Sequence, residues 1–120
     1  PEDVQMAGSR AIGLARLRRD GFLGYHGVRG TTAFLTTVPV VFTRGQELYV
    51  NVEPVASGGE LRVGVVASDR CTAEACLPVR TDGTAVAVSW REGRLSEFRG
   101  RPIRLTFHLD GVRLYGFEVR

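Results

Sequence analysis

The sequence predicts an all-β fold: an antiparallel β-sandwich of jelly-roll type, with eight or nine short strands and little helix. Three observations carry that prediction. Apolar residues alternate with polar ones at period two in segment after segment, which is the pattern of a strand with one buried face. Gly8, Gly13, Gly21, Gly24 and Gly27 make a long helix improbable near the start, and Gly-rich turns separate the later segments. The closing stretch RPIRLTFHLDGVRLYGFEVR reads as two strands joined at Asp110-Gly111, a pair that tolerates the positive φ of a tight hairpin turn.

Taken in order, residues 1–10 form a tail or linker, and residues 11–120 form one domain. The chain starts at Pro1 without a Met, which marks it as a processed product or a piece of something longer. Residues 11–17 and 22–26 predict two strands joined by a turn at Arg19-Asp20-Gly21. Residues 31–37 are β-rich, and 38–42 continue them across Pro39, which implies an edge position or a bulge. Leu48, Val50 and Val52 alternate with Tyr49, Asn51 and Glu53, and Leu61, Val63 and Val65 alternate with Arg62, Gly64 and Val66. The link over 54–59 reads as a hairpin loop between these two strands. Residues 68–83 form the longest irregular connection, and Val86, Val88 and Trp90 share one face of the next strand. Leu95 to Phe98 make a turn or helical corner before the final pair. In that pair Ile103, Leu105, Phe107 and Leu109 alternate in one phase, and Tyr115, Phe117 and Val119 in the other. Either both faces are covered, or a bulge near Leu114-Tyr115 shifts the phase by one residue.

Composition narrows the function classes. The 43% hydrophobic and 24% charged fractions are those of an ordinary globular domain. No apolar run approaches the ~20 residues that span a bilayer, so no membrane partner is expected. All sixteen basic residues are arginine, and the net charge is +3. Those arginines are scattered among thirteen acids and not concentrated beside aromatics, which argues against nucleic acid. Cys71 and Cys76 lie five apart in a polar loop, too few for a zinc site with only His26 and His108 elsewhere. A local disulfide is the expectation, and it places the protein outside the cytosol; two free thiols are the alternative.

No catalytic set emerges. None of the serines sits in G-x-S-x-G, and GFLGYHGVRG lacks the Lys and the following helix of a phosphate loop. Asp20, Asp69, Glu74, Asp82, Glu92 and Asp110 all fall in turns, where local hydrogen bonding favours acids, and nothing selects a glycosidase pair. Jelly rolls often hold calcium on loop carboxylates, but no D-x-D-x-D-G loop is present to name ligands, and no metal site is assigned. His108 alternates outward on its strand as a cross-strand partner of Arg113 or Glu118. Aromatic side chains on a strand face or loop can stack on sugar rings. The candidates are Tyr25 and His26 in a glycine-rich turn, Tyr49 opposite the apolar face of its strand, and Trp90, whose strand face also suits the core.

The ordered series GLARLRRDGF, LTTVPVVF, ELYVNVEP, ELRVGVV, VSW and GRPIRLTFHLDGVRLYGFEV resembles the C-terminal β-sandwich of bacterial proteins with an N-terminal five-bladed propeller. Those proteins are similar to propeller glycoside hydrolases acting on fructans and arabinans. The resemblance runs from about Ile12 to Val119, and its most specific pieces are LRRDGF and RLTFHLDGVRLYGFEV. Over 69–75 the chain departs from it, with Cys71 where the family has a longer Gly/Pro-rich loop. The resemblance implies that catalytic carboxylates belong to the propeller, so this domain is not itself an enzyme. Its implied role is a secreted accessory module that packs against a parent catalytic domain or weakly binds carbohydrate, without a cofactor. A ligand-free structural or protein-interaction sandwich is the first rival. A small hydrolase using His26 with a turn carboxylate is the second.

Overall fold

The computed structural model of the protein describes residues 15, 16 and 32–120. Within them the regular structure is almost wholly β: β1 (Ala15–Arg16), β2 (Ala33–Thr36), β3 (Leu48–Pro54), β4 (Glu60–Val65), β5 (Gly83–Val88), β6 (Leu105–Asp110) and β7 (Val112–Val119). One 3-10 turn, Leu95–Phe98, precedes β6 at the expected corner. The strand expected over 22–26 and the tail over 1–10 lie outside the described residues. The expected continuation over 38–42 forms no strand; it contributes isolated bridge positions at Val40, paired with Ile103, and at Phe42.

The strands form two antiparallel sheets, ordered β1-β7-β3-β5 and β2-β6-β4. Period-two alternation places Leu48, Val50 and Val52 of β3 and Leu61, Val63 and Val65 of β4 in one buried cluster. Phe107 of β6 and Phe117 of β7 meet inside it, with ring centroids 5.4 Å apart. The core is therefore shared between the sheets.

Two expected hairpins are overturned by this topology. β3 and β4 lie in different sheets, and so do β6 and β7. Period-two alternation is satisfied equally when the returning strand joins the same sheet or the facing one, because either way its apolar face lines the shared core, so the local pattern does not choose between them. The chain crosses at both links. Gly111, at φ 71°, makes the second crossing. Its carbonyl accepts Val55 N–H (2.8 Å) and Ala56 N–H (3.2 Å), which ties the two crossings together.

The phase change expected near Leu114-Tyr115 is present as a bulge. Asn51 pairs with Gly116 and Val52 with Leu114, so Tyr115 is the additional residue. Val112 and Leu114 face the core before it, and Phe117 and Val119 after it.

The irregular connection after β4 has a structural role. Val79 exchanges both backbone hydrogen bonds with Leu61 at 2.8 Å, and Val65 N–H donates to Cys71 O at 2.7 Å. Between them Val63 N–H donates to Cys76 Sγ at 3.3 Å. Segment 71–79 thus covers the outer edge of β4, which would otherwise be a template for another strand.

Candidate functional site

Antiparallel pairing of β3 with β5 sets Leu48 against Val88. That register brings the polar residues before β3 beside those that follow β5. Between them lies a cleft of about 300 Å³ lined by Gln46, Glu47, Ser89, Arg91, Glu92 and Arg94, with Trp90 and Leu95 as its apolar part. Arg91 Nη2 is anchored on Glu74 O at 2.7 Å. Arg94 is exposed, and its guanidinium has no partner among the described residues.

Tyr49 does not line this cleft, but its hydrogen-bond partner Glu47 and its cross-strand neighbour Ala87 do. It is half-buried on the face of β3 away from the core, opposite Glu118 on β7 and Ala87 on β5. Its hydroxyl donates to Glu47 Oε1 at 3.2 Å. The Arg120 guanidinium sits 4.9 Å from the ring centroid and is held by Glu118 Oε1 at 3.2 Å. On the β5 side the cross-strand neighbour of Tyr49 is Ala87, which is itself exposed. On the same face Tyr115, set out by the bulge, has its hydroxyl 2.7 Å from Glu53 Oε1.

The other aromatic candidates fare differently. Trp90 is 7% exposed, and its indole N–H donates to Val63 O at 2.8 Å, so it is a core residue that closes the β4 edge. Tyr25 and His26 lie outside the described residues. His108 does not pair with Arg113 or Glu118, because those belong to the other sheet. Its neighbours are Phe34 on β2 and Arg62 on β4, with the Phe34 ring edge-on at 4.7 Å. Burial lowers the His108 pKa and Arg62 adds to that, while Glu74 opposes both.

The expected disulfide is absent: Cys71 and Cys76 are free, fully buried thiols. Cys76 Sγ accepts from Val63 and its S–H points to Leu77 O at 3.4 Å, so the sulfur is engaged at the β4 edge. Cys71 Sγ packs against Gly93, where a Cβ would collide with it. Burial raises both thiol pKa values, Cys71 to about 11. With no bridge, the cysteines no longer argue for an extracellular location. Among the described residues no three His, Cys, Asp or Glu side chains gather into a set that could hold a metal.

The sequence pointed to Tyr49 but not to Gln46, Glu47, Arg91, Glu92 or Arg94. RGQEL and WREGR read as separate polar turns, and only the Leu48–Val88 register joins them. Comparison with protein-family models, with curated proteins and with solved structures finds no match to this chain in any of the three.

Proposed function

We propose that the chain is a β-sandwich of jelly-roll type serving as a non-catalytic accessory module of a carbohydrate-active protein, with glycan held at the cleft beside Tyr49. The strand orders β1-β7-β3-β5 and β2-β6-β4, in which no described strand pairs with the next described one in sequence, support the jelly-roll reading. The observation that carries the functional reading is the cleft itself. A sugar presents hydroxyls that both donate and accept, together with apolar ring faces. The cleft offers the Glu47 and Glu92 carboxylates as acceptors, the Arg91 and Arg94 guanidiniums as donors, and Gln46 and Ser89 as both. The Tyr49 ring beside Ala87 supplies a stacking surface of the kind sugar faces pack on. An extracellular setting would follow from a polysaccharide ligand alone.

Affinity electrophoresis of the full chain in fructan, arabinan and a panel of other soluble polysaccharides tests this. Retardation by at least one of them, weakened about tenfold in Tyr49→Ala and also weakened in Arg94→Ala, is expected. A folded protein that no glycan retards, or a retardation indifferent to both substitutions, would overturn it.

A second reading, docking against a parent domain without a ligand, is supported by Phe34. This side chain is 61% exposed on the outward face of the three-stranded sheet. Phe34→Ser should leave the isolated domain's stability nearly unchanged if docking is its role.

A further inference from the structure

A second cleft, sharing no residue with the first, lies where β4 ends and β6 begins. It measures about 380 Å³, and its walls are apolar: Pro39, Val65, Val66, Phe98, Pro102 and Ile103. Val66 is 46% exposed at its mouth, on a turn completed by Ala67 at φ 71°. Arg101 and Arg104 stand among the lining residues, which include no acid.

Neither guanidinium is neutralised by a carboxylate among the described residues. Arg101 lies 5.2 Å from the Phe98 ring centroid and donates to the backbone carbonyl of Glu97 at 3.0 Å. The Arg104 side chain is exposed, and nothing among the described residues engages it. Its backbone carbonyl accepts Val66 N–H at 2.9 Å, which fixes the arginine beside the apolar mouth. Some arginines elsewhere are paired with acids, Arg62 and Arg80 with Glu60, Arg70 with Glu97, Arg120 with Glu118, whereas Arg91 and Arg99, like Arg101, meet only backbone carbonyls among the described residues. The cleft combines apolar walls with uncompensated positive charge.

We infer that this cleft binds an anionic amphiphile, a small molecule carrying a carboxylate on an apolar tail. The tail lies along Val66, Phe98 and Ile103, where it leaves water. The carboxylate meets the Arg101 and Arg104 guanidiniums, whose planar donors suit it better than an ammonium would. This inference stands apart from the glycan reading, since it uses other residues at another place.

The test is a titration of isotope-labelled full chain with decanoate below its micellar concentration, followed by amide NMR shifts. Saturable shifts are expected at Val66, Ala67, Phe98, Ile103 and Arg104. Arg101→Ala with Arg104→Ala should weaken the affinity about tenfold together, at about threefold for each exposed charge. Raising the salt should weaken it further. Decanol tests the charge, and acetate tests the tail; both should bind more weakly than decanoate. Val66→Glu, which places a like charge at the mouth without touching the core, should abolish binding. Decanol binding as tightly as decanoate, acetate matching decanoate, shifts confined to another region, or indifference to the double substitution would each overturn the proposal. So would an absence of saturable shifts in the folded protein.

Discussion

Val63 illustrates how single side chains close a sheet edge. Its N–H meets Cys76 Sγ and its carbonyl meets the Trp90 indole, so a thiol and an indole stand where a neighbouring strand would be. Cys76→Ala leaves that buried N–H unpaired and should cost about 1–3 kcal/mol in chemical denaturation. Cys76→Ser, which keeps an acceptor, should lose less. Cys71 adds a pH dependence. Burial lifts its pKa from 9.0 to about 11, with Glu97 adding to the rise, so the folded state keeps a proton that the unfolded chain releases. Stability is therefore whole below about 9 and falls as pH rises from there through about 11. Denaturation midpoints measured from pH 8 upward should decline over that window, and Cys71→Ala should flatten the decline. Spacing could not separate a bridge from two free thiols, because what decides is the β4 edge, which is not visible along the chain.

At the scale of elements, the connection after β4 behaves as a cover. Gly64 is buried beneath it, and a Cβ there would come within 2.8 Å of Ala73 N and 3.3 Å of Thr106 Cγ2. Gly64→Val should force the cover away, destabilise the fold by about 1–3 kcal/mol and expose the β4 edge. Light scattering after size exclusion should then detect more self-association than in the unsubstituted protein. The strands themselves were legible, since alternation such as Leu48-Val50-Val52 or Leu105-Phe107-Leu109 is a local property. The bulge was one of two readings left open, the other being a strand covered on both faces; the pairing of Asn51 with Gly116 and Val52 with Leu114 decides for it. The partners were not legible. An Asp-Gly turn between two apolar strands reads as a hairpin, whether the chain folds back in one sheet or crosses to another. The cleft beside Tyr49 escaped for the same reason, since the contact of 46–47 with 91–94 depends on a pairing remote in sequence.

For the whole molecule, the two crossings tied at Gly111 have a consequence in time. Among the described residues every ladder joins strands separated by at least one other, and β6 and β7 lie inside their sheets: β6 between β2 and β4, β7 between β1 and β3. Such non-local pairing makes folding slow, on a scale of about milliseconds to seconds for β folds of this kind. A fragment ending at Pro102 has lost both central strands and should give the circular dichroism of an unfolded chain. A growing polypeptide would meet the same obstacle. The three-stranded sheet has no centre until β6 leaves the ribosome, and the four-stranded sheet lacks its β7 until just after, so the apolar strands made earlier must wait in solvent for residues 105–119 to organise them.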